Sequence, residues 1–354
     1  MNPVNVLIVD DSALVRRILF RGLSADPHIR VVGTAGDASK AQKLIHQMNP
    51  DVLTLDIEMP GVNGLDFLKQ LMRINPLPVI MVSALTERGS KITLEALASG
   101  AVDFILKPSI NIKQNLAAML QELRTKVKMA AQVNVRGLPV QKIPAIQKPE
   151  SRGANTVIDR KKIIAIGAST GGTEAIRFVL KALPPAIPGV VVVQHMPAGF
   201  TAQFARSLNA ETQLDVKEAR SGDRVLPGKV LIAPGDFHLQ LIRDAGTYRV
   251  VCRRGARVNG YRPSVDVLFR SVARYAGAHA IGVLMTGMGD DGADAMVKLR
   301  AEGALTIAQD KETSVVFGMP KEAYLRGGVS RLLPLNKIPG AIMNYLNGNR
   351  LWPN

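Results

Sequence analysis

Short apolar runs alternate with amphipathic segments through residues 1–108. The runs are rich in Val, Ile and Leu and read "NVLIVD", "VVGTA", "DVLTLD", "PVIMVS" and "AVDFILK". Between them, apolar positions recur at helical spacing, as in "SALVRRILFRGL" and "ASKAQKLIHQM". Strands that are apolar on both faces and are joined by helices are typical of a parallel sheet covered on both sides. The pattern predicts a doubly wound α/β domain.

The alternation stops after the helix-like segment "NLAAMLQELRTKVKMAA" and resumes near residue 160. The intervening stretch is scattered with Pro, Gly and polar residues and has no sustained periodicity, which is typical of a linker. From residue 160 the runs "KIIAIGAS", "GVVVVQHM", "KVLIAPG", "YRVVCR", "HAIGVLMTG" and "ALTIAQD" predict a second doubly wound, mostly parallel α/β domain. The segment "FHLQLIRDAGTYRVVCRR" predicts an antiparallel hairpin inserted in it. We therefore expect a first domain at residues 1–125, a linker at 126–160 and a second domain at 161–350.

Length and composition narrow the class of protein. The chain has 354 residues, which suits two ordinary domains. Its one cysteine, Cys252, rules out an intramolecular disulfide and fits a reducing compartment. The start "MNPVNVLIVDDS" does not have the layout of a signal peptide, and the apolar runs are far shorter than the roughly 20 residues of a membrane helix. We expect a cytoplasmic, monomeric protein that does not insert in a membrane.

The net charge of +16 is uneven along the chain. Residues 161–354 contribute +10, while residues 1–130 and 131–160 contribute +3 each. The segment "CRRGARVNGYR" at 252–262 is a local basic cluster. Nucleic acid, an anionic membrane and an acidic protein surface are each suited to such a charge, and so is an ordinary solvated basic surface.

In the first domain, the chemically interesting side chains follow the predicted strands. They are Asp10, Asp11, Asp56, Ser83 and Lys107. If the strands are parallel, these positions meet at one edge of the sheet. Carboxylates crowded together favour a cation, and ligation by oxygen alone favours Mg²⁺. A carboxylate beside Mg²⁺ and a lysine is suited to accept a phosphoryl group, although the acids could also be surface helix caps.

This arrangement resembles the receiver domain of bacterial response regulators, which is flavodoxin-like. The resemblance covers residues 1–125 and rests on the DD pair, the loop "DIEMPGVNG", the Ser after a strand and the "KP" pair. It implies that Asp56 is the phosphoacceptor and that Phe104 occupies the aromatic switch position. It implies Mg²⁺ ligation by Asp10, Asp11, Asp56 and the Glu58 backbone carbonyl. It implies phosphoryl contacts by Ser83 and Lys107.

In the second domain, the loop "IIAIGASTGG" has two interpretations. A phosphate-binding P-loop would need a lysine where Thr173 stands, and the spacing of Gly167 and Gly171 does not fit a dinucleotide fingerprint. Bare amides of the turn could still bind an anion. "GASTG" instead fits G-x-S-x-G, which exposes a serine hydroxyl, here Ser169, on a strand-to-helix turn. The helix that follows offers amides to an oxyanion.

A nucleophilic serine needs a base and a group that orients the base. His195 ends the next apolar strand, although a packing role for this histidine is an alternative. The loop "TGMGDDGADAM" holds Asp290, Asp291 and Asp294, which could also bind a metal or cap a helix. A Ser–His–Asp set in this chain order is not the α/β-hydrolase order, but the same chemistry recurs on unrelated folds.

The segments "IGASTGG", "QHMPAGFT", "IAPGDFHL", "RPSVDVLF" and "LMTGMGDDGADAM" resemble the catalytic domain of the chemotaxis receptor methylesterases, the CheB family. The resemblance covers residues 160–350, and the receiver-like domain in front completes the family's architecture. It implies hydrolysis of glutamate γ-methyl esters on chemoreceptors, deamidation of receptor glutamines, and phosphorylation by a chemotaxis histidine kinase. It implies that Ser169 is the nucleophile, His195 the base and Asp291 the orienting acid. It implies oxyanion donors in the backbone amides of Thr170 and Met288, and no metal for the esterase.

Two hypotheses complete the interpretation. The basic rim would help to bind an acidic receptor helix bundle through Arg253, Arg254, Arg257 and Arg262. The unphosphorylated receiver would cover the esterase site, and phosphorylation of Asp56 would weaken that inhibition.

A transcription factor would need a helix-turn-helix, which the second half does not offer, so we expect no nucleic-acid partner. A nucleotide-binding output domain and an inert adaptor are the remaining rivals.

Overall fold

The computed structural model describes residues 2–59, 61–84, 86–107, 112–133, 135 and 161–348. The chain divides into two compact units, residues 1–141 and 142–354. Most of the predicted linker lies outside the described residues, as do Pro60 and Pro108 of the receiver motifs. No helix in the described ranges is long and apolar enough to cross a membrane.

The first unit is a parallel sheet of five strands in the order β2-β1-β3-β4-β5. The strands are β1 (Val4–Val9), β2 (Ile29–Ala35), β3 (Val52–Asp56), β4 (Val79–Ser83) and β5 (Asp103–Leu106). The helices are α1 (Ala13–Ser24), α2 (Ala38–Met48), α3 (Gly64–Ile74), α4 (Glu87–Ala98) and α5 (Ile112–Ala130). This confirms the predicted doubly wound fold. The last helix continues through Ala130, past residue 125, where we expected the domain to end.

Polar caps set the start of these helices at the carboxyl edge of the sheet. The Ser12 hydroxyl accepts from the N–H of Val15 at the start of α1, and the Thr86 hydroxyl accepts from the N–H of Gly89 at the start of α4. Such caps satisfy backbone donors that the helix itself leaves unpaired. The acidic residues between β1 and α1 are therefore held at that edge.

The second unit contains a parallel sheet of seven strands in the order β14-β13-β12-β6-β7-β9-β8. The strands are β6 (Ile163–Ala168), β7 (Gly189–Gln194), β8 (Asp215–Glu218), β9 (Lys229–Ile232), β12 (Ala280–Leu284), β13 (Leu305–Gln309) and β14 (Arg331–Leu333). The predicted hairpin is confirmed as a separate antiparallel pair, β10 (His238–Asp244) and β11 (Thr247–Arg253). The helices are α6 (Gly172–Ala182), α7 (Phe200–Glu211), α8 (Val265–Ala276), α9 (Ala293–Ala301), α10 (Met319–Leu325) and α11 (Ile338–Leu346).

The centre of this sheet is a topological switch point. Strand β6 pairs with β7 on one side and with β12 on the other. The chain that leaves β6 therefore continues into one half of the sheet through β7, and the chain that leaves β12 continues into the other half through β13. Strands β6, β7 and β12 are buried along their whole length. In open α/β sheets, ligands bind in the crevice at such a point, beyond the carboxyl ends of the strands.

Candidate active site

Ser169 and His195 lie side by side at the switch point. The register pairs Ala168, the last residue of β6, with Gln194, the last residue of β7. Ser169 and His195 come directly after these two residues. The backbone N–H of His195 donates to the carbonyl oxygen of Ala168 at 3.1 Å, which extends the pairing to this position. The structure therefore brings together the two residues that the sequence predicted to share this edge.

A tight turn carries Ser169 from the strand into helix α6. The N–H of Gly172 donates to the carbonyl oxygen of Ser169 at 2.7 Å, and Gly171 has φ +75°, where a side chain would be strained. The Ser169 N–H donates to the carbonyl oxygen of Thr286, after β12, at 3.0 Å. The turn is thus anchored to the loop that follows β12.

His195 is hydrogen-bonded to Asp291. Nε2 of His195 lies 2.8 Å from Oδ2 of Asp291, and the Asp291 side chain is 0% exposed. An ionised carboxylate accepts only, so Nε2 carries the proton and Nδ1 carries the free lone pair. Nδ1 is buried, and none of the residues that the structure describes hydrogen-bonds to it. It is the ring nitrogen left for a serine proton, although no described hydrogen bond joins it to Ser169.

Asp291 is also the cap of helix α8. Its Oδ2 accepts from the N–H of Val265 at 2.6 Å, and its Oδ1 accepts from the Ser264 hydroxyl at 2.7 Å and the Asp266 N–H at 3.3 Å. Burial alone would raise the pKa of Asp291, but the hydrogen bonds from His195, Ser264 and Val265 outweigh burial and hold the pKa below its ordinary value. The helix N-terminus thus keeps Asp291 ionised beside His195.

The other acids of this loop point to different partners. Asp290 and Asp294 are exposed, and Arg326 donates to them at 2.6 Å and 2.7 Å. Among the residues that the structure describes, the only acidic group arranged to hold a metal ion is in the first unit. Asp290 and Asp294 are thus paired with Arg326, and of the three acids only Asp291 contacts His195.

The loop after β12 packs directly against the serine. A Cβ built on Gly287 would lie 2.7 Å from Cβ of Ser169, so this position requires a glycine because the two backbones approach so closely. Met288 follows at once and is half-buried, and Thr170 is buried beside Ser169. The role of their backbone amides as oxyanion donors stays a prediction.

The sequence interpretation missed three residues of this site. Tyr261 stacks on the His195 imidazole, and Asn259 donates to Oδ1 of Asp291 at 2.9 Å. The side-chain amide of Gln194 donates to the carbonyl oxygen of Ser169 at 2.8 Å. The Asn-Gly pair at 259–260 was a turn signal that could have indicated the first two. We find no comparable signal for Gln194 beyond its place next to His195.

The four arginines of the predicted rim do not behave alike. Arg253, Arg254 and Arg257 are exposed. Arg262 instead donates through Nε to Oδ1 of Asp236 at 2.9 Å, and its Nη1 donates to the carbonyl oxygen of Gly255. Arg262 is therefore engaged within the fold. Arg254 also lies 3.6 Å from Oδ2 of Asp236, and Nη1 of Arg257 donates to the carbonyl oxygen of Gly260 at 3.2 Å, although both residues are exposed.

The first unit assembles a second polar site. Nζ of Lys107 lies 2.8 Å from Oδ2 of Asp56 and 3.0 Å from Oδ2 of Asp10. Carboxylate oxygens of Asp10, Asp11 and Asp56 all lie within 4.8 Å of one another. A set of oxygen donors this close fits a hard cation such as Mg²⁺. The parallel strands thus bring these groups together as predicted.

Burial shapes the titration of this site. Asp56 is 3% exposed, and burial raises the pKa of its carboxyl, with Asp10 adding to the rise and Lys107 opposing it. Burial alone would lower the pKa of Lys107, but Asp56 and Asp10 overcome it and raise that pKa. Positive charge beside Asp56, here from Lys107, therefore favours the ionised form of its carboxyl.

Two residues near this site have partners that the sequence did not indicate. The Ser83 hydroxyl accepts from the Thr93 hydroxyl at 2.9 Å and donates to the carbonyl oxygen of Ala84 at 3.2 Å. Phe104 is buried, and Nζ of Lys126 lies 5.5 Å from its ring centroid. The role of Ser83 as a phosphoryl contact stays a prediction.

Comparison with known proteins identifies the family of both units. The CheB methylesterase family model matches residues 164–342, and the response regulator receiver domain model matches residues 6–121. The chain is 52% identical to the "Protein-glutamate methylesterase/protein-glutamine glutaminase" of Syntrophotalea carbinolica over 98% of this chain and 99% of that protein. The chain belongs to the CheB methylesterase family.

A second relative and a solved structure show the same family relationship. A protein-glutamate methylesterase/protein-glutamine glutaminase 2 of Pseudomonas aeruginosa is 49% identical over 99% of this chain and 100% of that protein. The crystal structure of the Thermotoga maritima CheB methylesterase catalytic domain is 42% identical, with a TM-score of 0.51, and covers 52% of this chain and 98% of that domain. This CheB family member thus carries a receiver domain followed by a methylesterase domain.

Proposed function

We propose that this protein hydrolyses glutamate γ-methyl esters on chemoreceptors, releasing methanol, and also deamidates receptor glutamines. The observation that carries the proposal is the 2.8 Å contact between His195 and the buried Asp291, placed beside Ser169 at the switch point. The family relationship supports the same activity.

Ser169 is the proposed nucleophile. Its hydroxyl oxygen attacks the ester carbonyl carbon while Nδ1 of His195 takes the hydroxyl proton, and the imidazolium that forms is stabilised by Asp291. The carbonyl oxygen becomes an oxyanion, which would accept hydrogen bonds from the backbone N–H groups of Thr170 and Met288. Collapse breaks the C–O bond to the methoxy group, which takes the proton from His195 and leaves as methanol.

Water then completes the cycle. His195 takes a proton from a water molecule as its oxygen attacks the acyl carbon, and the same proton returns to Ser169 as the acyl–serine bond breaks. The product is a glutamate carboxyl group and free enzyme. For a glutamine the leaving group is ammonia instead of methanol, and the remaining steps are the same.

The first unit is proposed to control this reaction through phosphorylation of Asp56 by a histidine kinase. Asp10, Asp11, Asp56 and the Glu58 backbone carbonyl would hold Mg²⁺, which neutralises charge on the phosphoryl oxygens when bound. Lys107, already 2.8 Å from Asp56, would contact those oxygens together with Ser83. We propose that the unphosphorylated receiver inhibits the esterase and that phosphorylation relieves the inhibition.

The test measures methanol release from methylated receptor membranes, with and without MgCl₂ and a small-molecule phosphodonor. Wild type should release methanol, Ser169→Ala should not, and the phosphodonor should accelerate release by wild type but not by Asp56→Asn. Release that ignores the phosphodonor would remove the proposed control and keep the esterase. Release by Ser169→Ala equal to wild type would exclude the proposed mechanism.

A further inference from the structure

The segment Val258–Tyr261 forms a tight reverse turn above the His195–Asp291 pair. The backbones of Val258 and Tyr261 exchange hydrogen bonds of 3.0 Å and 2.9 Å. Both central residues are left-handed, with φ +52° at Asn259 and +82° at Gly260. Asn-Gly is the sequence that favours this mirror-image turn, because both residues tolerate a positive φ. The turn is thus locally determined by its own sequence.

Asn259 connects the turn to the carboxylate of the pair. Its Nδ2 donates to Oδ1 of Asp291 at 2.9 Å and to Oδ2 of Asp266 at 3.0 Å. Both carboxylates are buried, at 0% and 1% exposure. A neutral donor placed between two buried acids reduces their repulsion and fixes Oδ1 of Asp291 on the side away from His195.

Tyr261 connects the same turn to the imidazole. The two ring centroids are 3.7 Å apart and the ring planes are inclined by 10°. The tyrosine therefore covers one face of the imidazole, whose side chain is only 5% exposed. A ring stacked this closely resists rotation of the imidazole about its χ2 angle and excludes water from that face.

We propose that the Val258–Tyr261 turn is a positioning element for the His195–Asp291 pair, with Asn259 holding the carboxylate and Tyr261 holding the imidazole ring. The proposal rests on the proposed role of that pair in ester hydrolysis. Its basis is that residues two apart in one rigid turn reach both members of the pair. Neither residue carries charge, so this role differs from charge attraction by the arginines of the same basic segment, of which Arg257 donates through Nη1 to the carbonyl oxygen of Gly260 in the turn at 3.2 Å.

Two substitutions isolate the two contacts. Asn259→Gly removes the side-chain amide and keeps a residue that accepts positive φ, whereas Tyr261→Leu removes the stacked ring. Tyr261→Phe keeps the ring and removes only the hydroxyl. Ala245→Gly is the matched control, because Ala245 and Gly246 form a turn with φ +46° and +77° at the tip of the β10–β11 hairpin.

The kinetic readout is methanol release at saturating and limiting receptor. Asn259→Gly and Tyr261→Leu should lower kcat by about 10- to 100-fold with KM within about twofold of wild type, because misplacement of the base affects the chemical step. Tyr261→Phe and Ala245→Gly should retain kcat. Wild-type kcat in both Asn259→Gly and Tyr261→Leu would overturn the proposal.

A second readout does not depend on turnover. The proton on Nε2 of His195 should give a far-downfield ¹H NMR resonance while it is bonded to Asp291 and shielded from water, identified by its loss in His195→Gln. Ser169→Ala should keep the resonance, whereas Asn259→Gly and Tyr261→Leu should broaden it beyond detection. An unchanged resonance in both turn variants would contradict the positioning role. Activity in Ser169→Ala would instead contradict the proposed function and leave this readout intact.

Discussion

The side-chain amide of Gln194 donates a hydrogen bond of 2.8 Å to the backbone carbonyl oxygen of Ser169. Gln194 is buried and immediately precedes His195. Its side chain therefore links the end of strand β7, next to His195, to the turn that carries Ser169. The Ser169 carbonyl also accepts from Gly172, so it keeps one donor if Gln194 is changed. Gln194 therefore acts on the spacing of the two residues rather than on the integrity of the turn.

We predict that Gln194→Met, which keeps the volume and removes the donor, lowers kcat about tenfold. It should lower the free energy of unfolding by about 1 kcal/mol, the net value of one hydrogen bond. The control is Thr306→Val, which removes a buried hydroxyl bonded to Ser330 near the amino end of β13. Urea unfolding and methanol release separate the two effects: the control should lose stability and keep kcat. Equal kcat values for Gln194→Met and wild type would exclude this link.

The second prediction concerns acid stability. The pKa of Asp291 is lower in the folded protein than its ordinary value of 3.8, so its carboxylate stabilises the fold above that pH. This contribution is lost as the pH falls through the lowered pKa of the folded state. Asp291→Asn lacks the titration, so the stability difference between wild type and the variant should shrink below about pH 3.8.

Chemical unfolding of wild type and Asp291→Asn between pH 3 and pH 7 tests this sign. At neutral pH the variant should be the less stable protein, since the helix α8 donors lose an ionised acceptor. Its kcat should fall by about 10⁴-fold, the size seen when the acid of a Ser–His–Asp set becomes an amide. A stability difference that grows on acidification would show that the carboxylate does not stabilise the fold.

The pattern of apolar runs predicted both doubly wound domains because strands buried on two faces are nearly continuous in Val, Ile and Leu. It did not predict β8 or β14, which are short edge strands with sequences "DVKE" and "RLL". Edge strands have one unpaired side and carry polar residues, so their sequences resemble loops. The parallel order of the central strands also explains why Ser169 and His195 could be paired from sequence alone.

Contacts from distant loops could not be predicted in the same way. The donors to Asp291 come from the start of helix α8 and from the turn at Asn259, and their convergence depends on the packing of α8 against the sheet. The basic segment 252–262 was interpreted through its charge, and this obscured the Asn-Gly turn within it. Likewise, the pattern of charges did not indicate that Arg262 is half-buried and donates to both Asp236 and Gly255, whereas Arg253 is exposed.

The third prediction concerns the receiver site. Because burial raises the pKa of Asp56, its ionised form costs stability at neutral pH. Asp56→Asn should therefore raise the free energy of unfolding of the first unit without Mg²⁺. MgCl₂ should stabilise wild type, since a ligand of the folded state shifts unfolding, and should have much less effect on Asp56→Asn or Asp11→Asn.

Calorimetry of the full chain with and without MgCl₂ provides the measurement. Glu95→Gln is the control, because it removes an exposed carboxylate that pairs with Lys69 on the α3–α4 face. This control should respond to MgCl₂ as wild type does. A similar Mg²⁺ shift in Asp11→Asn and wild type would exclude Asp11 as a ligand.

The final prediction separates the arginines of the rim. Arg253, Arg254 and Arg257 are exposed, whereas Arg262 is bound to Asp236 and Gly255 within the fold. Replacing the three exposed arginines with Gln should lower kcat/KM on receptor membranes at low salt, with little change in stability. The difference in kcat/KM between the triple variant and wild type should narrow as salt is added, because salt screens the long-range attraction between either enzyme and the receptor. Arg262→Gln should instead lower the unfolding temperature.

A charge-matched triple variant tests whether kcat/KM depends on the position of the rim arginines or only on the net charge of the domain. Arg274, Lys298 and Lys321 are exposed on helices α8, α9 and α10, and their replacement with Gln removes the same three charges. If the rim binds the receptor, this control should keep kcat/KM close to wild type at every salt concentration. Equal losses in the two triple variants would mean that the net charge of the domain, and not the rim at 253–257, attracts the acidic substrate.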